Sequence, residues 1–288
     1  MAVRAGMIGL GIIGGGIVRW TCEAGIETWG FDLDADATRR AAEFGARLAT
    51  SCAELAAHCD VIGVAVRDDA QVLEVVRGEQ GILAGAAAGS VIAIHSTVSP
   101  RTVEDLAREA ARQDVSVVDA PVTGGSTGTD KGTLVTMVGG EAEVIERCRP
   151  VFEAPSRAVI HTGPVGSALR TKLCNNLVGY LGFVAAYEAN LLATAAGLDL
   201  ARVDEVLTTG GNLSGPALGF LEGMHRADFD RDDDAHQDYI AAITDLALKD
   251  LELALELAEE LGISLPATAQ CREWMPRVYG QRGGEKTR

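Results

Sequence analysis

The first half of the chain alternates short apolar runs with longer segments whose apolar residues recur at helical spacing. Most of the runs are rich in valine and isoleucine and are bounded by glycine, serine or acidic residues, which is typical of buried strands. They are Ala2–Leu10, Glu27–Phe31, Val61–Val66, Val91–His95, Val115–Asp119, Leu134–Val138 and Ala158–His161. Regular alternation of strand and helix predicts an α/β fold with a doubly wound, mostly parallel sheet.

The segments between these runs predict helices, and two of them carry recognisable start signals. Ser51 and Glu54 match a capping box, and Ser99 places a cap before the first-turn proline Pro100. The predicted helices are Gly15–Ala24, Asp36–Phe44, Ser51–Ala57, Asp69–Val76, Arg101–Arg112 and Ala142–Phe152.

The strand pattern stops after His161, and the remaining chain predicts helices alone. Ser167–Ala196 is one helical pattern of about 30 residues, near 45 Å at 1.5 Å per residue. Further helices are expected at Ala201–Leu207, Pro216–Met224, Ile240–Leu261 and Thr268–Tyr279. We therefore expect two domains, an α/β domain at 1–163 and an all-α domain at 164–288 that begins with the long helix 167–196.

The long helix also predicts an oligomer. Its apolar and small residues lie on several faces, which indicates packing against more than one partner. They are Leu177, Tyr180, Leu181, Val184, Ala185, Ala186, Ala189 and Leu191. We expect a homodimer or homotetramer.

A glycine motif follows the first predicted strand. Gly9-Leu-Gly-Ile-Ile-Gly14 opens a helix, and Asp32 ends the next strand. Strand, glycine turn, helix, strand and acid in this order are typical of a dinucleotide site, because the glycines allow close approach of a pyrophosphate to the helix N-terminus. A structural glycine turn is the alternative. The predicted cofactor residues here are Gly9, Leu10, Gly11, Ile12, Ile13, Gly14 and Asp32.

The carboxylate of Asp32 predicts a preference for NAD over NADP. It is expected to accept hydrogen bonds from the ribose hydroxyls and to repel a 2′-phosphate. Leu33 follows it, where an NADP enzyme often has arginine.

Two further motifs combine glycines with polar side chains. In Asp119–Gly128, the glycine pair Gly124-Gly125 lies beside hydroxyls and predicts backbone N–H groups that converge on a small anion. Around Gly163–Asn176, Lys172 and Asn176 are four residues apart on one helix face and suit a carbonyl or hydroxyl substrate. For the glycine pair, the alternative is an ordinary turn. For Lys172, the alternative is a solvated surface lysine.

Taken in order, these motifs resemble those of the 3-hydroxyisobutyrate dehydrogenase family of β-hydroxyacid dehydrogenases, and Leu248–Leu251 matches a fourth family element. The resemblance covers nearly the whole chain. It implies an N-terminal Rossmann domain and a C-terminal domain like that of 6-phosphogluconate dehydrogenase. The resemblance also implies Lys172 as the catalytic acid/base and Lys249 as a C-terminal contact to the cofactor and active site. It implies nicotinamide contacts from Ser96 and Thr97. The implied substrate contacts are Thr123, Gly124, Gly125 and Asn176.

The chain departs from the family pattern in three places, the mildest of which is Thr123, where serine is common and the hydroxyl is kept. The family often has proline after the strand that corresponds to Val61–Val66, whereas in this chain Val66 is followed by Arg67. We expect both to contact the cofactor, with an ion pair between Arg67 and Asp68 or Asp69 as the alternative. The acidic stretch Asp228–Asp238 fails as a calcium loop, since it lacks glycine at its sixth position, and predicts a solvated loop or a loop that closes over the substrate.

Composition narrows the classes of partner and compartment. The 288-residue chain has a net charge of −16 and a pI of about 4.7, which argues against binding to nucleic acid or an anionic membrane. Its six cysteines show no metal-binding spacing and are typical of reduced core residues, so the cytoplasm is the expected compartment. No metal site and no membrane-spanning segment are predicted.

We expect an oxidoreductase that transfers a hydride between NAD, or less favourably NADP, and a small 3-hydroxy acid. In oxidation, neutral Lys172 would take the hydroxyl proton, which requires a depressed lysine pKa. The alternatives are an imine reductase-like enzyme, a reductase of glyoxylate or succinic semialdehyde, and a non-catalytic cofactor-binding protein. Lys172 argues against the first, because imine reductases usually have another residue there.

Overall fold

The computed structural model describes residues 3–213, 215–225 and 233–284. The chain forms two compact units, Met1–Lys172 and Leu173–Arg288. The division falls within the long helix, whose first six residues belong to the first unit.

The first unit is built on a sheet that has nine strands among the described residues. Strands β1 to β6 lie in the order β3-β2-β1-β4-β5-β6 and are all parallel, which is the strand order of a dinucleotide-binding fold. Strand β8 runs antiparallel to β6 and β7 and parallel to β9. The strands are β1 Arg4–Ile8, β2 Glu27–Phe31, β3 Arg47–Leu48, β4 Val61–Val64, β5 Val91–Ile94, β6 Ser116–Asp119, β7 Val122–Thr123, β8 Leu134–Gly139 and β9 Ser156–Gly163. The predicted doubly wound, mostly parallel sheet is therefore confirmed.

Helices connect these strands and cover the sheet. They are α1 Ile12–Glu23, α2 Ala35–Glu43, α3 Cys52–His58, α4 Asp69–Arg77, α5 Ile82–Gly85, α6 Pro100–Ala110, α7 Gly125–Asp130 and α8 Ala142–Glu153. Ser51 caps α3 as predicted, since its hydroxyl accepts from the Glu54 N–H at 3.1 Å. The Glu54 carboxylate accepts from the Thr50 N–H at 2.7 Å and not from the Ser51 N–H that a full capping box uses. Four short elements, β3, α5, β7 and α7, have no counterpart among the predictions, because two to six residues carry too little periodicity to be recognised.

The core of the first unit lies between sheet and helices. Strand residues such as Ile62, Val64, Ile92 and Ile94 are fully buried. They pack with apolar side chains from α3, α4 and α6, so both faces of the parallel sheet are shielded from water, as the near-continuous apolar strands require.

The second unit is helical. Helix α9 spans Ser167–Ala195, and it is followed by α10 Leu200–Thr209, α11 Gly215–His225, α12 Asp234–Glu260 and α13 Pro266–Tyr279. One cluster joins α9, α12 and α13 around Leu251, Cys271 and Met275. A second cluster joins α9 to α11 around Ala186 and Leu221.

Among the described residues, α9 is also the helix long and apolar enough by composition to cross a membrane, and 22% of its most apolar window is buried. A single helix of this kind is weak evidence for a membrane span.

The acidic stretch differs from its prediction as a loop. Asp228–Asp232 lie outside the described residues. From Asp234 onward the stretch is helix α12, which begins six residues before the predicted Ile240. The reason is local, because the Asp233 carboxylate accepts from the Ala235 N–H at 2.9 Å and thereby caps the helix.

Candidate active site

The glycine turn after β1 has the geometry that a dinucleotide requires. Gly9 has a φ of +85°, and a Cβ there would overlap the backbone oxygen of Ala65. At Gly14 a Cβ would overlap the Gly9 carbonyl oxygen, so this glycine lets α1 approach the turn. Gly11 is exposed, and a Cβ there would meet no atom within 4 Å, which leaves open space at the position where a phosphate approaches the backbone.

The start of α1 is also free to receive an anion. Gly11 is the N-cap residue and makes no side-chain cap hydrogen bond, and the first turn of α1 contains no acidic residue. Ile12 is exposed, Ile13 is half-buried, and the Leu10 side chain is buried in the core. The unsatisfied N–H groups and the positive end of the helix dipole suit a phosphate, so these residues fit a dinucleotide.

Asp32 is held by the backbone on both carboxylate oxygens. It accepts from the Leu10 N–H at 2.6 Å and from the Asp34 N–H at 2.8 Å. The first of these bonds ties the end of β2 to the glycine turn. Each oxygen retains a further lone pair, which can accept from a ribose hydroxyl.

The loops after β4 and β5 are joined by a buried hydroxyl. Ser96 accepts from the Val66 N–H at 2.9 Å and donates to the Val66 carbonyl oxygen at 2.8 Å. The hydroxyl that was expected to contact nicotinamide is thus engaged within the protein and positions Val66. Neighbouring Thr97 is half-buried.

Arg67 does not form the ion pair with Asp68 or Asp69 that was the alternative to a cofactor contact. Asp68 accepts from the Gln71 N–H and caps α4, while Asp69 accepts from the Ser99 N–H and from the Thr102 hydroxyl. Both carboxylates are therefore bound by other groups, and the exposed Arg67 side chain has no ion pair among the described residues.

The start of α9 is anchored to the end of β6 by a buried carboxylate. Asp119 is 0% exposed and accepts from the N–H groups of Gly166 and Leu169, both at 2.8 Å. Burial raises the pKa of Asp119 above its usual value, while the hydrogen bonds from Leu169 and Gly166 oppose that shift. Sequence reasoning placed this acid in a motif but missed its partners, which lie 47 and 50 residues away.

Lys172 lies one turn further along α9 and points back to the same strand-end segment. Its half-buried side chain donates from Nζ to the Val122 carbonyl oxygen at 2.7 Å. The next residues are Thr123, Gly124 and Gly125, with φ values of +130° and +58° at the two glycines. They lead directly into α7, whose N-cap residue Gly124 makes no side-chain cap hydrogen bond. The amine therefore lies beside the predicted anion-binding segment.

In the second unit, Asn176 and Lys249 share one partner that the sequence analysis did not identify. Asp250 is 3% exposed and accepts from Asn176 Nδ2 at 2.7 Å and from the Tyr180 hydroxyl at 3.1 Å. Its other oxygen pairs with Lys249 Nζ at 3.0 Å. Burial, chiefly, raises the pKa of Tyr180 well above its usual range. Asp250 directly follows Lys249 in the motif Leu248–Leu251, and its place in that motif was the signal that could have identified it.

Two family models together match almost the entire chain. The model of the NAD binding domain of 6-phosphogluconate dehydrogenase matches residues 4–163. The model described as NAD-binding of NADP-dependent 3-hydroxyisobutyrate dehydrogenase matches residues 166–288. The chain belongs to the 3-hydroxyisobutyrate dehydrogenase family. This family consists of NAD(P)-dependent oxidoreductases that act on hydroxyl groups, which is the class that the motifs of the chain predicted.

Three relatives in this dehydrogenase family cover most of the chain. An uncharacterized oxidoreductase of Mycobacterium tuberculosis is 34% identical over 91% of this chain and 88% of its own length. The 2-(hydroxymethyl)glutarate dehydrogenase of Eubacterium barkeri is 30% identical over 94% and 88%, respectively. The NAD-dependent L-serine dehydrogenase of Pseudomonas aeruginosa is 32% identical over 90% and 86%.

Solved structures show the same fold as this dehydrogenase. The crystal structure of 3-hydroxyisobutyrate dehydrogenase from Salmonella typhimurium has a TM-score of 0.82 and 26% identity, covering 96% of this chain and 93% of that chain. An imine reductase of Streptomyces aurantiacus, with a TM-score of 0.67 and 18% identity, covers 95% and 93%. At that identity the likeness concerns the fold alone.

Proposed function

We propose that this dehydrogenase transfers a hydride between NAD and a small 3-hydroxy acid, with Lys172 as the acid/base. The observation that carries the proposal is the hydrogen bond from Lys172 Nζ to the Val122 carbonyl oxygen at 2.7 Å. It holds an amine beside Thr123, Gly124 and Gly125, the segment proposed to bind the substrate carboxylate. A proton-transfer group and an anion cradle are thereby held in one compact unit.

In the oxidation direction, the bound nicotinamide supplies the hydride acceptor. Neutral Lys172 takes the proton of the substrate hydroxyl, so that the alcohol carbon becomes a carbonyl carbon and the amine becomes an ammonium. The backbone N–H groups of Gly124 and Gly125, with the Thr123 hydroxyl, bind the carboxylate. Asn176 donates a hydrogen bond to the reacting oxygen. In reduction, the ammonium of Lys172 returns the proton.

The names of two of these relatives and of the solved Salmonella typhimurium structure suggest a narrower substrate class. 2-(Hydroxymethyl)glutarate, 3-hydroxyisobutyrate and L-serine all contain a primary alcohol on the carbon next to the one that bears the carboxylate. They differ in the third substituent of that central carbon. We propose the shared unit, HOCH2–CH(R)–COO⁻, as the substrate of this chain, with the carboxylate held by the glycine pair and the alcohol facing Lys172.

The cofactor is proposed to bind along the glycine turn. Gly9–Gly14 would hold the pyrophosphate and Asp32 the ribose, which favours NAD. Val66, Arg67, Thr97 and Lys249 would add contacts, with Ser96 acting by holding Val66. In this proposal residues 1–163 bind the cofactor, and 164–288 complete the substrate site and form the interface of a cytoplasmic homodimer or homotetramer.

A substrate panel tests this proposal. Initial rates would be measured with 3-hydroxyisobutyrate, L-serine and 2-(hydroxymethyl)glutarate, each with NAD and with NADP. Glyoxylate and succinic semialdehyde with NADH would test the aldehyde-acid alternative, and a cyclic imine with NADH or NADPH would test the imine reductase alternative. We expect turnover of at least one HOCH2–CH(R)–COO⁻ compound. Turnover of the imine alone, or of none of these compounds, would reject the proposed function.

A further inference from the structure

The geometry points to Asp250 as a positioning residue that fixes the side-chain amide of Asn176 for the reaction. The inference deepens the proposed function and rests on it. It starts from one buried carboxylate that contacts two of the predicted site residues, Asn176 and Lys249, on two different helices of the second unit.

The orientation of the Asn176 amide follows from the chemistry of its partner. An ionised carboxylate can only accept hydrogen bonds, so the NH2 end of Asn176 must face Asp250. The distance of 2.7 Å from Nδ2 to Asp250 Oδ2 is that of a charge-assisted bond. The amide oxygen accepts from Asn175 Nδ2 at 3.1 Å. The other N–H of Asn176 has no partner among the described residues, and it makes Asn176 a hydrogen-bond donor to a substrate oxygen.

Lys249 completes the arrangement by pairing with the second oxygen of the Asp250 carboxylate. Its ammonium lies 3.0 Å from Asp250 Oδ1, while Asn176 and Tyr180 both donate to Oδ2. The carboxylate thus has a charged partner on one oxygen and two neutral donors on the other. Because it is buried at 3% exposure, these partners replace the water that would otherwise solvate the charge.

The substitution Asp250→Asn keeps the side-chain volume and removes this fixed polarity. An amide at 250 offers one acceptor end and one donor end, so it cannot accept from Asn176 and Lys249 at the same time on its two ends. Either the Asn176 amide loses its acceptor and turns, or the Lys249 ammonium faces an NH2 group. Tyr180→Phe is the matched control, because it removes a third hydrogen bond to the same carboxylate and leaves both predicted site residues paired.

A double-mutant cycle tests whether Asp250 acts through Asn176. We expect Asn176→Ala to lower kcat by about ten- to a hundredfold, as loss of one donor to a reacting oxygen does. Asp250→Asn in the wild-type background should lower kcat by about tenfold or more, and by less than about threefold in the Asn176→Ala background. Tyr180→Phe should leave kcat within about threefold of wild type. Equal losses from Asp250→Asn in both backgrounds would overturn the inference.

A measurement without substrate or cofactor separates this inference from the proposed function. The chain has four asparagines, at 175, 176, 190 and 212, so selective ¹⁵N-asparagine labelling gives a simple NMR spectrum. The side-chain amide protons of Asn176 should exchange slowly with water in the wild type and in Tyr180→Phe, and rapidly in Asp250→Asn. An unchanged exchange rate in Asp250→Asn overturns the inference. A wild-type protein that turns over no hydroxy acid but shows this pattern rejects the proposed function alone.

Discussion

At the scale of single residues, the proposed reaction depends most on Lys172. Replacement by alanine removes the amine beside Val122 while leaving the glycine turn and Asp32 in place. We expect turnover to fall by roughly 10²–10⁴-fold, the usual loss for a positioned acid/base. Cofactor affinity, measured by titration of NADH fluorescence, should change little.

The matched control for Lys172 is another lysine of the same unit. Lys131 is exposed at the end of α7, and Lys131→Ala should leave the rate near that of wild type. Steady-state kinetics of both variants decide the role of Lys172. If Lys172→Ala stays within a few-fold of the wild-type rate, Lys172 is not the acid/base.

Asp32 and Leu33 are expected to set the cofactor preference. The Asp32 carboxylate is held by two backbone N–H groups. Leu33, which is 94% exposed, is apolar. Neither residue therefore holds a cation that could bind a 2′-phosphate on the ribose. Arg39, a few residues on, pairs with Asp36 at 2.6 Å. We expect a higher kcat/KM with NAD than with NADP, and a reversal in the double variant Asp32→Ser, Leu33→Arg. Comparable values for the two cofactors in the wild type would contradict the assignment.

His95 is expected to make the protein sensitive to acid. It is buried at the end of β5, where its Nδ1 lies 2.7 Å from the Ala120 carbonyl oxygen, and burial lowers its pKa from 6.5 to about 4. The unfolded chain therefore binds the proton first as the pH falls. The stability that the neutral ring contributes is complete above about pH 6.5 and is lost as the pH falls towards 4, by about 3 kcal/mol at most.

The variant His95→Asn tests this effect, because asparagine retains a donor near the Nδ1 position. Urea unfolding at several pH values between 7 and 4.5 should show a shallower loss of free energy in the variant than in the wild type. The exposed residue His58 offers a control, and His58→Asn should keep the wild-type slope. The raised pKa of Asp119 acts in the opposite direction in both proteins and so cancels in the comparison. Parallel slopes for His95→Asn and wild type would exclude the contribution of His95.

At the scale of elements, the glycine turn and α1 act together. A Cβ at Gly14 overlaps the Gly9 carbonyl oxygen, so Gly14→Ala must push the helix away from the turn and lower both stability and cofactor affinity. A Cβ at Gly11 meets nothing within 4 Å, and the φ there is −63°, so Gly11→Ala should fold normally.

The pair of variants separates folding from binding. Gly11→Ala should have a wild-type melting temperature and a weakened affinity for NADH, because its methyl group occupies the space left for a phosphate. Gly14→Ala should have both a lower melting temperature and a weaker affinity for NADH. Undiminished NADH affinity in Gly11→Ala would mean that the cofactor does not approach this turn.

At the scale of the whole molecule, the exposed apolar side chains of the second unit predict self-association. Val178 and Leu192 on α9 are 75% and 73% exposed, and Val206 on α10 is 70% exposed. Apolar side chains exposed in such number on neighbouring elements are typical of an interface. We expect light scattering to give at least twice the chain mass of 30.1 kDa.

A charged substitution in this surface supplies the test. Leu192→Glu should shift the mass towards that of one chain, whereas Leu33→Glu, at a residue of the first unit that is 94% exposed, should not. A wild-type mass of about one chain at micromolar concentration would contradict the predicted oligomer.

The elements that could be predicted from the sequence are those encoded by local patterns. The strands β4 and β5 read as continuous apolar runs because both faces of a parallel sheet are buried. The glycine turn was recognisable because its requirements lie within six residues of chain. The long helix ended one residue before its predicted end, since Gly197, with a φ of +68°, stops it.

Other features depend on contacts between distant residues, and only the tertiary structure decided them. The segment of α7 is poor in helix formers, yet it is helical, because it packs on α1, where Trp20 Nε1 donates to the Thr129 carbonyl oxygen at 2.7 Å. Asp119 meets α9 across about 50 residues, and Asp250 meets Asn176 across 74. A buried carboxylate must find donors wherever the fold brings them, so the sequence determined which residues were available for chemistry, and the packing of distant elements decided which of them hold one another in place.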